Sequence, residues 1–118
     1  MVTALDKLIP EAGQVWWVYL GPFSGTEQDG RRPFLVLSPK ELNELTGRII
    51  GVSIASKIRG WETEVPIFGL SMPCVAQPDQ IRTLDYRSRK AEFRGNAVLN
   101  AELEAVRKVV GALTGIQA

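Results

Sequence analysis

Apolar and polar residues follow one another along this chain in short segments that have the spacing of β-strands. The first segment, residues 14–20, reads QVWWVYL and is rich in aromatic and β-branched residues, so we predict a strand there. Because both of its faces are largely apolar, we expect this strand to be covered on both sides. Glycines and prolines punctuate the next segment, residues 21–33, which predicts a long loop. A loop of this length in a small domain is usually functional or disordered.

Further apolar segments have the length and the β-branched content of strands. We predict strands at residues 34–37, 48–55, 61–67, 73–77 and 87–93. Residues 61–67 are expected to pair back as the arm of a hairpin, after a basic turn at residues 57–60. Residues 87–93 are expected to form the last strand of the sheet.

Two segments carry the start and stop signals of helices. Ser38 is followed by a proline and, at the third helical position, by Glu41, which is the layout of a capping box. The short helix that it predicts continues to about residue 45, and Gly47 closes it. Asn100 can cap a second helix that continues to about residue 113, with one apolar stripe along it. Many short strands and a closing helix predict a mainly β fold, a small twisted barrel with a C-terminal helix.

Length and composition indicate one globular domain. The chain has 118 residues, of which 45% are hydrophobic and 23% are charged, and this is enough for a single core. We expect one domain over residues 1–118, with residues 1–12 as an N-terminal extension. No apolar stretch approaches the roughly 20 residues of a membrane span, and the N-terminus lacks the features of a secretory signal. Cys74 is the only cysteine, so we expect a cytoplasmic protein without a disulfide and without a membrane partner.

The chain contains no histidine. Histidine acid–base chemistry, Ser-His-Asp triads and metal sites that contain histidine are therefore excluded, and with one cysteine so is a structural zinc site within one chain. We accordingly expect no metal and no cofactor, and any chemistry falls to carboxylates, Arg, Lys, hydroxyls and backbone groups. The net charge is +1, so a basic surface for nucleic acid would have to come from clustered charges.

Four segments, in order along the chain, carry a family resemblance. They are GQVWWVYL at residues 13–20, GTEQDGRRP at 25–33, IASKIRG at 54–60 and DQIRTLDYRSR at 79–89. In this order and spacing they resemble the MazF/PemK ribonuclease toxins, whose second motif reads G-S-E-Q-x-G-x-R-P. The resemblance implies an SH3-like barrel and a homodimer. It also implies metal-independent cleavage of single-stranded RNA such as mRNA, which would inhibit translation and growth, and neutralisation by a cognate antitoxin of the MazE/PemI type.

The resemblance also assigns catalytic residues. RNA supplies its own nucleophile, the 2′-hydroxyl, so an enzyme without histidine or metal needs a carboxylate base and a guanidinium that stabilises the phosphorane. The expected products are a 2′,3′-cyclic phosphate and a 5′-hydroxyl. Arg32 is the principal candidate and Glu27 the second, although Glu27 could instead form a salt bridge that orders the loop. Ala55 stands where the family usually has a Thr, and Ser56 is the hydroxyl that could take its place.

Charged and amide side chains near these motifs are candidates for binding RNA. They are Gln28, Arg31, Lys57, Arg59, Asp79, Gln80, Arg82, Arg87 and Arg89. A solvated surface explains the basic residues almost as well, and Asp79 could simply cap a turn after a proline. Three aromatic residues near these charges, Phe23, Trp61 and Tyr86, could stack on bases or belong to the core. Trp16 and Trp17 are expected in the core or in a dimer interface.

Two other functions remain open. A gyrase-poisoning toxin of the CcdB type shares the fold, but that function is usually read from a C-terminal Trp-Gly-Ile ending, and here the sequence around Gly115 and Ile116 lacks the Trp. A catalytically weak RNA-binding relative is the other alternative, because Ala55 lacks a hydroxyl. Cleavage of a long RNA in EDTA, with its ends mapped, separates all three functions.

Overall fold

The fold was analysed in a computed structural model that describes residues 8–21 and 30–116. Within these ranges the chain forms strands, two α-helices and one 3₁₀ turn. The strands are β1 (Gln14–Tyr19), β2 (Arg31–Val36), β3 (Arg48–Ala55), β4 (Val65–Ile67), β5 (Cys74–Ala76), β6 (Arg82–Asp85) and β7 (Glu92–Ala97). The helices are α1 (Lys40–Thr46) and α2 (Asn100–Leu113), and the 3₁₀ turn is Pro78–Gln80. The mainly β fold with a C-terminal helix confirms the predicted fold class.

The strands form one antiparallel sheet in the order β4-β5-β3-β2-β1-β7, and β6 joins it beside β3. One edge of β3 pairs with β2, whereas the other edge pairs with β6 at the start of the strand and with β5 at its end. The sheet therefore curls around β3 into a half-barrel. Gly51 lies where β2 and β6 both pair with β3, and a Cβ there would stand 2.0 Å from the Leu35 carbonyl oxygen. The close approach requires glycine.

Apolar side chains cover both faces of the sheet. One core lies under α2 and includes Val15, Leu35, Val52, Ile54, Leu103 and Val106. The second core lies on the opposite face and consists of Trp16, Val18, Phe34, Val36, Ile49, Leu84 and Tyr86. Strand β1 contributes to both cores through alternate residues, which confirms that it is covered on its two faces. Trp16 is a core residue and stacks on Phe93 at 5.4 Å between ring centroids.

The last three residues of the loop predicted at 21–33 belong to β2 instead. Arg31, Arg32 and Pro33 pair with Tyr19, Val18 and Trp17 of β1. Proline is tolerated at this position because β2 has a partner strand on only one edge there: Pro33 pairs with Trp17, and the pairing with β3 begins at Phe34. Arg32 therefore projects from a paired strand rather than from a loop.

Two strand predictions were wrong in their partners or positions. In the segment 61–67 only β4 is a strand, and β4 pairs with β5 rather than with β3. The predicted last strand at residues 87–93 is largely a turn between β6, which the pattern missed, and β7. The turn forms because the Asp85 carboxylate accepts the N–H groups of Arg87 and Ser88, and Lys90 adopts a left-handed φ of 51°.

Helix lengths are close to the prediction, but both predicted caps differ. The Ser38 hydroxyl donates to Asn43 and accepts the Ile50 N–H instead of capping α1. Gly47 ends α1 in the left-handed conformation, as predicted. Asn100 is the first residue of α2 rather than its cap. The Glu102 carboxylate accepts the N–H of Leu99, the residue that precedes the helix. Among the described residues, no helix is long and apolar enough to cross a membrane.

Candidate active site

An open groove of about 530 Å³ lies where β1, β2 and β3 meet the connection between β4 and β5. Its lining comprises Trp17, Leu20, Arg32, Pro33, Ser53, Ile54, Ala55, Ser56, Lys57, Leu70, Ser71, Met72, Cys74, Gln77 and Asn96. Three residues selected from the sequence, Arg32, Ser56 and Lys57, are therefore brought together at one site. Ile54 and Cys74 of this lining also belong to the core under α2, so the groove is continuous with that core.

Arg31 and Arg32 are separated by the geometry of β2. Successive strand residues point to opposite faces, and only Arg32 lines the groove. Its side chain is exposed, and its Nη1 donates to the Arg31 carbonyl oxygen at 3.2 Å. The Arg31 side chain lies elsewhere: its Nε donates to the Lys90 carbonyl oxygen at 3.0 Å, and its guanidinium lies 5.0 Å from the centroid of the Tyr19 ring. The two neighbouring arginines thus have different surroundings.

The end of β3 brings two hydroxyl groups to the groove. Ser53 and Ala55 are two residues apart in β3, and both line the groove. Because β3 ends at Ala55, strand alternation does not extend to Ser56, and Ser56 also lines the groove. The sequence analysis identified Ser56 but missed Ser53. The period-two spacing from Ala55 back to Ser53 was the signal that could have found it.

The charge of the groove differs from that of the whole protein. Among its described lining residues the charged side chains are Arg32 and Lys57, and both are cations. The chain as a whole carries a net charge of only +1. The described lining of the groove therefore concentrates positive charge. Three candidate residues, Phe23, Glu27 and Gln28, lie outside the described residues.

A second cluster surrounds the basic turn after β3. The Glu64 carboxylate, whose side chain is 4% exposed, forms an ion pair with Arg59 Nε at 2.9 Å. Glu64 also accepts the N–H groups of Arg59, Gly60 and Trp61. The Arg59 hydrogen bond is the main reason that the pKa of Glu64 lies below its ordinary value, and the three backbone N–H groups act in the same direction. Arg59 also contacts Asp79 at 3.5 Å.

Three candidates for RNA binding in this cluster are therefore engaged within the protein: Arg59, Asp79 and Gln80. The Arg59 guanidinium lies 3.6 Å from the centroid of the Trp61 ring, and that indole remains 55% exposed. Asp79 accepts from both Arg59 and the side-chain amide of Gln80. None of the residues Arg59, Asp79 and Gln80 lines the groove.

The arginines of the fourth motif lie outside the groove as well. Arg82 donates to the Leu20 carbonyl oxygen at 3.3 Å, and Arg89 donates to the Tyr19 carbonyl oxygen at 3.0 Å. The Arg87 guanidinium lies 5.7 Å from the centroid of the Tyr86 ring. Tyr86 is only 4% exposed and belongs to a core, so its ring is not available to stack on a base.

Several lining residues carried no motif that could have identified them. Gln77 and Asn96 bring amides to the groove, and Met72 and Cys74 bring sulfur. The Trp17 ring lines the groove with the Arg94 guanidinium 4.4 Å from its centroid, and its buried Nε1 has no hydrogen-bond partner among the described residues. Burial raises the pKa of the Cys74 thiol, and so does the Glu102 carboxylate. Only the folding of distant segments brings these residues to one place.

Candidate metal ligands do not cluster within residues 8–21 and 30–116. No group of three or more Cys, Asp or Glu side chains in these ranges is arranged to hold an ion. The chemistry that the described groove offers is thus that of guanidinium, ammonium, hydroxyl and amide groups.

Comparisons with known proteins agree on one family. The model of the "PemK-like, MazF-like toxin of type II toxin-antitoxin system" family matches residues 11–114. The endoribonuclease toxin MazF of Escherichia coli (strain K12) is 32% identical over 111 residues, which are 94% of this chain and 99% of that protein. The crystal structure of MazF from Deinococcus radiodurans has a TM-score of 0.82 and 37% identity, over 93% of this chain and 100% of that one.

A crystal structure of a MazE–MazF complex from Deinococcus radiodurans contains a similar chain. It has a TM-score of 0.81 and 34% identity, and the match covers 94% of this chain and 100% of that one. These relatives do not favour the gyrase-poisoning alternative, since MazF and PemK of Escherichia coli are endoribonucleases. The chain belongs to the PemK-like, MazF-like family of endoribonuclease toxins of type II toxin–antitoxin systems.

Proposed function

We propose that this toxin cleaves single-stranded RNA in the groove, without a metal ion, by attack of a 2′-hydroxyl on the adjacent phosphate. The observation that carries the proposal is the charge of the groove: Arg32 and Lys57, both cations, are the charged side chains of its described lining. A single strand fits this site because the groove is open and its floor is partly apolar. The products are a 2′,3′-cyclic phosphate and a 5′-hydroxyl.

Each step of this reaction has a candidate group. A base removes the proton of the 2′-hydroxyl, and the 2′-oxygen bonds to phosphorus. The bond from phosphorus to the 5′-oxygen breaks, and the 5′-oxygen takes up a proton from water to become the 5′-hydroxyl. Arg32 holds the non-bridging oxygens as negative charge builds on them, since a guanidinium is planar and permanently charged. Lys57 holds a neighbouring phosphate as a point charge. The Ser56 hydroxyl donates to the phosphorane, and Glu27 is assigned as the base by resemblance alone.

The test is single-turnover cleavage of one oligonucleotide in excess EDTA by the wild type, Arg32→Ala and Arg32→Lys. Removing one preorganised donor typically lowers the rate about 100- to 1,000-fold, so Arg32→Ala should be nearly inactive. Arg32→Lys should recover only part of the rate, because an ammonium cannot reproduce the two-pronged contact. Arg107→Ala is the control: this arginine of α2 donates to the Leu37 carbonyl oxygen, outside the groove.

Two outcomes would contradict the proposal. Arg32→Ala cleaving within a few-fold of the wild type would remove Arg32 from the active site. Loss of cleavage in EDTA, restored by added metal, would refute the metal-independent mechanism. RNA binding without cut ends would instead support a catalytically weak relative, in line with Ala55.

We further infer that a cognate antitoxin covers the groove. The supporting observation is that a similar chain occurs in a MazE–MazF complex. An acidic segment that folds on binding would complement Arg32 and Lys57 and so compete with RNA. Titration of a fluorescent, non-cleavable RNA with the antitoxin tests this inference: simultaneous binding of both without mutual weakening would rule out competition.

A further inference from the structure

The turn at residues 85–90, which connects β6 to β7, contacts both strand ends that lead to Arg32. We propose that Arg82 and Arg89 are positioning residues for cleavage, which hold the end of β1 and, through the turn, the start of β2, rather than residues that bind RNA. The proposal rests on the proposed catalytic role of Arg32. It replaces the RNA contacts expected for these arginines from the sequence.

The turn is itself firmly held. The Asp85 carboxylate accepts the N–H groups of Arg87 at 3.1 Å and Ser88 at 3.0 Å. Those two hydrogen bonds, the Ser88 one foremost, hold the pKa of Asp85 below its ordinary value. Tyr86 buries its ring in the core, and its carbonyl oxygen accepts the Ala91 N–H at 2.9 Å. A turn anchored in this way can serve as a fixed support for its neighbours.

Three hydrogen bonds hold the end of β1, two of them with Arg89 of the turn and one from Arg82 of β6. The Tyr19 N–H donates to the Arg89 carbonyl oxygen at 3.2 Å, and Arg89 Nη1 donates back to the Tyr19 carbonyl oxygen at 3.0 Å. Arg82 Nη1 donates to the next carbonyl oxygen, that of Leu20, at 3.3 Å. Both guanidinium groups therefore donate N–H groups to backbone carbonyl oxygens, and neither arginine lines the groove.

The same turn holds the start of β2. Arg31 Nε donates to the Lys90 carbonyl oxygen at 3.0 Å, and the Arg31 guanidinium packs on the ring of Tyr19. Arg31 also lies 3.7 Å from Glu92 at the start of β7. With Arg31 fixed on one face of β2, strand alternation directs Arg32 to the opposite face, into the groove. A shift of the turn would therefore move the Arg32 guanidinium relative to the phosphate.

The two possible roles predict different kinetics. A residue that binds phosphate changes the half-saturating RNA concentration and lowers the slope of the salt dependence by about one. A positioning residue lowers the rate at saturating RNA and leaves both of those quantities unchanged. Misplacing a catalytic group by about 1 Å can cost about 100-fold in rate.

The experiment measures single-turnover cleavage over a range of RNA and KCl concentrations for Arg82→Ala and Arg89→Lys. We expect both variants to lose about tenfold or more of the saturated rate, with the half-saturating RNA concentration and the salt slope unchanged. Arg107→Ala is the matched control, because it loses the same kind of bond from a guanidinium to a carbonyl oxygen, at Leu37. Thermal melting confirms that each variant is folded. Because Arg82 is exposed, its variant still tests the proposal if the Arg89 variant is unstable.

A double-mutant cycle separates this inference from the proposed function. If Arg89→Lys acts through Arg32, it should cause no further loss in an Arg32→Ala background. Higher half-saturating RNA concentrations with a normal saturated rate, or no change in any quantity, would overturn the positioning role. Near-normal cleavage by Arg32→Ala alone would instead refute the assignment of Arg32.

Discussion

At the scale of single residues, neighbours in the sequence have different surroundings. Arg31 and Arg32 are adjacent, yet one is tied to a turn and the other lines the groove. The motif singled out Arg32 by resemblance, and the pairing of β2 with β1 gives the physical reason that this arginine faces the groove. The converse holds for Ser53 and Ser56, which are not neighbours in the sequence but both line the groove at the end of β3.

The two serines give a prediction at this scale. Ser56→Ala should lower the saturated cleavage rate about 100-fold, as for other donors to a developing negative charge, and Ser53→Ala should stay within a few-fold of the wild type. Single-turnover cleavage of the same oligonucleotide measures both variants. The reverse ranking would assign the hydroxyl role to Ser53, and equal, small effects would remove both serines from the chemistry.

At the scale of elements, the connection between β3 and β4 is organised by a single carboxylate. Glu64 accepts from the Arg59 side chain and from three consecutive backbone N–H groups of the turn. The hairpin expected from the sequence failed here because this turn leads β4 to β5 rather than back to β3. Lys57 lies two residues before Arg59 and lines the groove. The hydrogen bonds that fix this connection therefore also help to position a residue of the site.

Stability should therefore depend on the charge of Glu64. The pKa of Glu64 is lowered below its ordinary value of 4.5 in the folded protein, so its contribution is present above that pH and is lost as the pH falls through the folded-state pKa. Glu64→Gln should lower the melting temperature at pH 7, and the difference from the wild type should shrink in acid. Thermal melts at several pH values measure this, with Glu62→Gln in the same turn as the control. A difference that stays constant into acid would contradict the ion-pair explanation.

At the scale of the whole molecule, large apolar side chains remain exposed. Leu45 is 84% exposed, Phe68 80% and Ile116 69%. Strand β1, whose tryptophans suggested a dimer interface, pairs with β2 and β7 at its two edges, so it could contribute to an interface only through a face. The exposed apolar side chains are the other candidate surface for the homodimer that the family resemblance implies.

We predict a dimer of about twice the chain mass of 13.0 kDa at micromolar concentration. Burial of exposed apolar surface would provide the free energy of association. Sedimentation velocity over a range of protein concentrations measures the mass. A single species of monomer mass throughout that range would contradict this prediction.

The sequence by itself determined the elements whose signals are local. The aromatic and β-branched run of β1, the β-branched run of β3 and the apolar stripe of α2 each predicted an element within one or two residues of its observed bounds. Short motifs that resemble those of the family selected Arg32, Ser56 and Lys57, and the fold brings these three residues to one groove. The elements could be predicted because residue type and the spacing of apolar side chains along a strand or helix are contained directly in the sequence.

Only the tertiary structure decided which distant groups meet. The partner of β4, the existence of β6 and the groove positions of Trp17, Gln77 and Asn96 all depend on contacts between segments far apart in the chain. Arg89 looked like a residue for RNA, but its guanidinium donates to a carbonyl oxygen 70 positions earlier. A basic side chain has the same local pattern whether it meets a phosphate or a backbone oxygen. Its role is therefore set by the acceptor that the fold places beside it.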